Sequence, residues 1–385
     1  MGLIIGIALA RLLQPADFGK FAYATSVVGI FLIPASWSLA QQVVAEIKKN
    51  PEIATDALWI SHKVFFARIL LSSAACIYLG LTQDHLTALL GAIIALPQIA
   101  GEFVAIFRST LEGRGDFKVN FFDSILTALL TAGIALPLSK AGFGPWALAI
   151  PGIPLIACQL LLFGRLSGYH LIPKEPKSSR SYLKTGCMLW FYSLSENAMS
   201  RADKFFLGTY SNMNELGIYN RALNYAPMSG RILNSLIATP MVAALANTET
   251  AEAKIQLLGK SAIMLFLGGL LNFVLLWWFS EPLVPMVFGH QWSDAVPVFK
   301  ALAPLSLVAS FSYLLVAISL AKREYTSLAI VRILCLVGFL LSMFWLGPQI
   351  DAIKTAWIIQ LFFLLQIVAL IFIRFYSFIF TDYKL

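Results

Sequence analysis

Long apolar runs recur at regular intervals along the chain, and short polar segments separate them. The runs are continuous and do not alternate with period two, so they are typical of helices rather than strands. They predict twelve helices, at residues 1–13, 21–45, 64–82, 86–107, 121–138, 145–166, 186–207, 217–245, 261–280, 296–320, 326–346 and 351–374.

The composition decides where such helices can lie. Of the 385 residues, 59% are hydrophobic and only 12% are charged. Soluble domains carry about 25% charged and about 45–50% apolar residues, and a soluble protein of this size could not bury so much apolar surface. The composition therefore excludes a soluble enzyme and a disordered chain, and it predicts an all-α polytopic membrane protein. Twelve spans of about 20 residues would use roughly 240 positions and leave short loops.

The first apolar run, residues 1–13, is too short to span a bilayer, because a spanning helix needs about 20 residues. It has neither a charged leading segment nor a cleavage site, so it does not have the features of a signal peptide. We therefore expect the first helix to be truncated, or the true start to lie upstream of Met1.

The basic residues predict the orientation. If alternate loops share one side, the side that holds the C-terminus carries seventeen Lys and Arg residues and the other side carries six. Basic residues gather on cytoplasmic loops, so the C-terminus is predicted to be cytoplasmic. The net charge of +8 then reflects these loops, and we expect no nucleic-acid partner.

The chain is predicted to consist of two similar halves. GKFAYA at 19–24 has a counterpart in GIYNRA at 217–222, and LEGR at 111–114 has one in LAKR at 320–323. The connection at 167–184 is rich in Pro, Ser and Lys and lies near the middle of the chain. We therefore predict a six-helix lobe over 1–166, a cytoplasmic linker over 167–184 and a second six-helix lobe over 185–385.

Sequence signatures of catalysis and metal binding are absent. The four cysteines and four histidines show no metal-ligand spacing, and the sequence has no GxSxG, Walker A or HExxH motif. We expect no catalytic residue, no bound metal and no cofactor. Because there is no nucleotide site, energy for transport would come from an H⁺ or Na⁺ gradient or from the substrate gradient itself.

Three segments resemble those of a known family: ARLLQPADFGKFAYATSV, ADKFFLGTYSNMNELGIYNRALNYAPM and SEPLVPMVFGHQWSDAVPVFKALAP. Over nearly its whole length the chain resembles the polysaccharide flippases of the multidrug/oligosaccharidyl-lipid/polysaccharide exporter superfamily. The resemblance implies two MATE-like lobes around a cationic cavity in the bacterial inner membrane. It also implies alternating access and an undecaprenyl-pyrophosphate-linked oligosaccharide as substrate. Membrane lipids and the polysaccharide polymerase or assembly machinery are the other expected partners.

Arginines at membrane depth are the candidate contacts for such a pyrophosphate. A charge at this depth costs several kcal/mol unless it faces a cavity or a partner, and the guanidinium group binds phosphate oxygens through two bonds. We predict Arg11, Arg221 and Arg231 as these contacts, since the last two lie ten residues apart on roughly one helix face. The alternative is that an arginine pairs with a carboxylate or extends to the interface, which we expect for Arg68 and Arg332.

The seventh predicted helix carries a polar stripe in an otherwise apolar sequence. One interpretation is a proton or sodium site, or a gate, and the other is an ion cluster that fixes helix packing, with Arg201 paired to Asp203. Glu102 and Asp123 are the next candidates for coupling. The stripe consists of Glu196, Asn197, Arg201 and Asp203.

The sequence also leaves other functions open. A cation-coupled multidrug exporter of the same superfamily is the main alternative, although its cavity should favour acidic residues. A membrane polysaccharide polymerase or ligase would need a large periplasmic loop, and the predicted outward loops at 208–216 and 281–294 are short. An inactive fragment is a further alternative, because the first helix is short.

Overall fold

The computed structural model describes residues 2–36, 39–170, 180–228, 251–321 and 325–381. Within these ranges the regular structure is helical, which confirms the predicted all-α fold. The described residues form fifteen α-helices: α1 (Gly2–Leu12), α2 (Pro15–Leu32), α3 (Leu39–Glu46), α4 (Ile53–Thr82), α5 (His85–Arg114), α6 (Lys118–Lys140), α7 (Trp146–Ala149), α8 (Gly152–Ser167), α9 (Arg180–Tyr210), α10 (Met213–Tyr225), α11 (Ala251–Phe288), α12 (Val296–Leu302), α13 (Leu305–Ala321), α14 (Tyr325–Leu346) and α15 (Ala352–Thr381).

Eight helical segments in the described ranges are long and apolar enough to cross a membrane. A ninth is formed if His290–Leu302 and Leu305–Val316, which meet at 47°, make one bent span. Large apolar side chains on these segments are exposed, as for Leu81 and Trp345. Such surfaces suit lipid, and the protein is therefore a multi-pass membrane protein. The second half of the eighth predicted helix, 229–245, lies outside the described residues.

Three predicted helices are interrupted in the structure, and each interruption has a proline. The predicted helix 21–45 stops at Leu32, passes through a 3₁₀ turn at Ile33–Ala35 and resumes as α3. The predicted helix 145–166 breaks at Pro151, and the predicted helix 296–320 breaks beside Pro304. Proline has no backbone N–H to donate, and its ring crowds the preceding turn, so a helix can end there. The apolar run in the sequence can nevertheless continue past the same proline, which is why the predicted helices were longer.

Helix α5 lies at the centre of the first compact unit, which covers residues 1–205. It packs against α2, α3, α4 and α8. Its start is fixed by Asp84, whose side chain accepts a hydrogen bond from the Thr87 N–H, and its end by Gly115, which has a left-handed φ of 96°. Buried apolar side chains such as Phe107 and Phe163 fill the space between these helices.

The second compact unit covers residues 206–385. Helix α11 packs on α13, and α15 packs on α12, α13 and α14. Glu215 of α10 accepts a hydrogen bond from the Ala352 N–H at 2.8 Å, which satisfies a free donor at the start of α15. Gln360 donates to the Ala301 carbonyl at 2.7 Å. These buried polar contacts join helices that are distant in sequence.

The two compact units divide between Phe205 and Phe206, within α9. The predicted linker at 167–184 lies elsewhere, and its central residues 171–179 are outside the described ranges. The proposed division into lobes at 1–166 and 185–385 therefore stays a prediction.

Candidate functional site

A polar cavity of about 240 Å³ lies inside the first unit, where three parts of the chain meet. Helix α2 and the turn after it form one wall, α5 forms a second, and α9 forms the third. Its position is unusual because most neighbouring side chains in these helices are apolar. The lining residues are Gly29, Leu32, Ile33, Ser36, Gln98, Gly101, Glu102, Ala105, Asn197 and Arg201.

Arg201 supplies the positive charge of this cavity. Its guanidinium group lies directly over Gly29, where a Cβ atom would overlap it. Nη1 donates to the Thr25 carbonyl at 3.4 Å, and Nε is buried without a hydrogen-bond partner. No carboxylate of the described residues lies within ion-pair distance of this group. A desolvated guanidinium in this state favours an anion, because burying a charge without a partner is costly.

Glu102 lines the same cavity, but its negative charge is balanced by Arg68 of α4, which does not line the cavity. Nη2 of Arg68 lies 3.2 Å from Oε2 of Glu102. The Nε and Nη2 groups of Arg68 also donate to the Ala35 carbonyl at 3.1 and 2.8 Å. This carbonyl belongs to the turn that follows the break in α2, so the buried arginine links that break to α5. Together, Arg68, Glu102 and Arg201 carry a net charge of +1.

A second cavity, of about 500 Å³, lies between α5 and α8 and shares Gly101 and Ala105 with the first. Arg108 occupies one end of it. Its Nη1 lies 2.9 Å from Oδ2 of Asp123, and its Nε lies 2.9 Å from Oε1 of Glu112. Gln159 donates to Oδ1 of Asp123 at 2.6 Å. Asp123, a candidate for coupling from sequence, is therefore held in a hydrogen-bonded network.

The predicted pyrophosphate contacts occupy different environments. Arg11 is exposed in the last turn of α1. Arg221, in the second unit, is 9% exposed and lies over the rings of Tyr225 and Trp292, at 5.1 and 5.9 Å from their centroids. Arg231 lies outside the described residues. Because Arg11 and Arg221 belong to separate units, whether they serve one site stays a prediction.

The polar stripe of the seventh predicted helix divides between two environments. Asn197 and Arg201 line the first cavity, and Asn197 also donates to the Ser193 carbonyl at 2.9 Å. Asp203 is fully buried and pairs with Lys204, with Nζ and Oδ1 3.3 Å apart. Glu196 is half-buried on the same helix. The alternative of an Arg201–Asp203 pair is therefore wrong for the described residues, in which Lys204 takes that role.

Sequence reasoning missed Gln98 and Ser36, which line the cavity beside the predicted residues. A polar side chain next to Pro97 in an apolar run was the available signal for Gln98. The expected carboxylate partner of Arg68 is confirmed as Glu102. Arg332 is buried, and its guanidinium lies 5.9 Å from the Phe363 ring centroid. The expectation that it pairs with a carboxylate or extends to the interface stays a prediction.

Eight described helical segments are long and apolar enough to cross a membrane, and a charged cavity lies among them. These features define a multi-pass membrane protein. Residues 8–297 match the family described as "Polysaccharide biosynthesis protein". The match covers most of the chain, and the protein therefore belongs to this family.

Two curated relatives agree with that assignment. The chain is 24% identical over 315 residues to the succinoglycan biosynthesis transport protein ExoT of Rhizobium meliloti (strain 1021). It is 23% identical over 344 residues to the lipopolysaccharide biosynthesis protein WzxC of Escherichia coli (strain K12). The matches cover 77% and 84% of this chain, but only 60% and 67% of those proteins.

Solved structures show the same fold. The lipid II flippase MurJ in an inward closed conformation aligns with a TM-score of 0.71 at 13% identity, over 96% of this chain and 85% of that one. An inward-facing multidrug resistance MATE family transporter aligns with a TM-score of 0.63 at 14% identity, over 100% and 96%. The predicted MATE-like fold is thereby confirmed.

Proposed function

We propose that this protein moves undecaprenyl-pyrophosphate-linked oligosaccharide repeat units across the bacterial inner membrane by alternating access. The translocated repeat units would serve O-antigen, capsule or exopolysaccharide biosynthesis. Family membership supports this proposal, as do relatives named for succinoglycan transport and lipopolysaccharide biosynthesis. The shared fold with a lipid II flippase is consistent with a lipid-linked substrate.

The observation that carries the proposal is the buried Arg201 guanidinium in a polar cavity among apolar helices. A pyrophosphate cannot cross hydrocarbon alone, because its charges would lose their hydration. A site with net positive charge replaces that hydration with charge-assisted hydrogen bonds. Gln98 and Asn197 would add neutral polar contacts beside the arginine.

The charge of the cavity also discriminates against the multidrug exporter. A lipophilic cation would need an unpaired carboxylate, and the carboxylate that lines the cavity, Glu102, is already paired with Arg68. The remaining charge is that of Arg201. An anionic substrate is therefore the better complement, although the MATE fold itself is compatible with either cargo.

Further contacts and coupling belong to the proposal as well. Arg11, Arg221 and Arg231 remain the predicted additional pyrophosphate contacts. The polar stripe of α9 would couple transport to H⁺ or Na⁺, or act as a gate. The proposal includes a cytoplasmic C-terminus, no catalytic step, and a polymerase or assembly partner that receives the flipped repeat unit.

The test is a complementation experiment with Arg201→Met in a strain that lacks the native gene. We expect a complete lipid-linked repeat unit to accumulate on the cytoplasmic leaflet and surface polysaccharide to fall at least tenfold. The matched control is Arg165→Met, which removes an exposed arginine of the same unit. Normal polysaccharide in the Arg201 variant would refute the role of this cavity. Normal lipid-linked glycans with altered drug sensitivity in the deletion strain would instead support the exporter.

A further inference from the structure

The cavity between α5 and α8 is polar at one end and apolar along its body. Arg108, Ser109, Glu112 and Gln159 form the polar end, and the rest of the wall is apolar or small. Helix α5 has 30 residues, so it is about 45 Å long, against about 30 Å for the hydrocarbon core. Arg108, Ser109 and Glu112 lie within the last two turns of α5, and the polar end is therefore placed near the membrane surface.

The apolar body of this cavity runs toward the membrane interior. Pro97 and Val104 line it from α5, and Leu155 and Ile156 line it from α8. Pro97 lies eleven residues before Arg108, which corresponds to about 16 Å along the helix. A molecule that fills the cavity would thus have its polar group at the surface and its apolar part in the hydrocarbon layer. Membrane phospholipids have this arrangement.

The polar end leaves one donor and one acceptor uncommitted. Arg108 uses Nε for Glu112 and Asn120 and Nη1 for Asp123, so Nη2 has no bond to the described residues. Glu112 uses Oε1 for Arg108, and its Oε2 has no bond to the described residues. Arg108 pairs with Glu112 and also with Asp123, which lies beside the polar end without lining the cavity. One arginine and these two carboxylates give a net charge of −1. The polar end therefore disfavours a purely anionic head group and can bind an ammonium beside a phosphate.

We propose that this cavity binds a zwitterionic phospholipid whose head group carries a primary ammonium. The Nη2 group of Arg108 donates to the phosphate, and Oε2 of Glu112 accepts from the ammonium. One acyl chain lies against Val104, Leu155 and Ile156. The site does not depend on the transported substrate, so it stands even if the proposed transport function fails.

The test is native mass spectrometry of the full-length protein in detergent, titrated separately with phosphatidylethanolamine, phosphatidylcholine and phosphatidylglycerol. We expect phosphatidylethanolamine to bind at least tenfold more tightly than the other two. Choline has no N–H to donate, and glycerol leaves the head group anionic. In Glu112→Gln the preference for phosphatidylethanolamine should fall about tenfold. The control, Glu281→Gln, changes an exposed carboxylate of the second unit that pairs with Lys300.

Filling the cavity provides an independent variant. A Cβ atom added at Gly101 meets no atom within 4 Å, and the same holds for Gly133 of α6, outside the cavity. Gly101→Leu should abolish the bound phosphatidylethanolamine, and Gly133→Leu should retain it. Equal binding of all three lipids, preference for phosphatidylglycerol, or unchanged binding in Glu112→Gln would each overturn the proposal.

Discussion

Replacing Gly29 by alanine tests whether the position of the Arg201 guanidinium matters for transport. A Cβ atom at Gly29 would overlap that guanidinium, so the arginine must leave its present position. The overlapped atoms are the end of a flexible side chain, and the helices need not separate. Alanine favours a helix over glycine by about 1 kcal/mol. The bond from Arg201 to Thr25, long at 3.4 Å, contributes about 0.5–1.5 kcal/mol. These terms nearly cancel.

We therefore expect Gly29→Ala to keep its stability within about 1 kcal/mol while surface polysaccharide falls. The assay combines thermal unfolding in detergent with extraction of lipid-linked glycans from the complemented deletion strain. Gly133→Ala is the matched control, because its added Cβ meets no atom within 4 Å and it gains the same helix propensity. Full polysaccharide export by Gly29→Ala would refute the reasoning. A loss of several kcal/mol in the free energy of unfolding would also refute it, because it would mean that Arg201 cannot move aside from Gly29.

Two further predictions concern stability. Arg68→Met leaves the Glu102 carboxylate buried without its partner and should cost about 3–5 kcal/mol in thermal unfolding, much of it recovered in Arg68→Met/Glu102→Leu. Wild-type stability of the single variant would contradict this. Asp84→Ala removes the cap of α5 and should cost about 1 kcal/mol at neutral pH. Hydrogen bonding from Thr87 lowers the pKa of the Asp84 carboxyl, so this difference is complete above the unfolded pKa of about 3.9 and is lost as pH falls through the lower folded pKa. A difference that persists in acid would disprove the charged cap.

The membrane class and the approximate position of most helices could be predicted from local sequence. Long apolar runs are sufficient for this, because a helix satisfies its own backbone hydrogen bonds wherever it lies in lipid. The break after Leu32 was not predicted, although Pro34 was visible in the run. Whether a proline bends a helix or ends it depends on neighbouring groups that donate hydrogen bonds to the carbonyls left without helical partners. Here Arg68 donates to the Ala35 carbonyl.

The site was only partly predictable for a similar reason. Asn197 and Arg201 stood out as polar residues in an apolar helix, and both line the cavity. Their neighbour Asp203 carries the same sequence signal but lies elsewhere, paired with Lys204. Polarity at membrane depth indicates that a side chain needs a partner or a cavity, and it does not indicate which of the two it has.

The sequence by itself determined that this protein is an all-α membrane protein, and its three marker segments indicated the family. Those properties follow from composition and local pattern. Only the tertiary structure decided that Arg68 neutralises Glu102 while Arg201 keeps its charge in the cavity. Pairing of charges depends on which helices pack together. That packing alone brings Arg68 into contact with Ala35 and Glu102, and Arg201 into contact with Gly29.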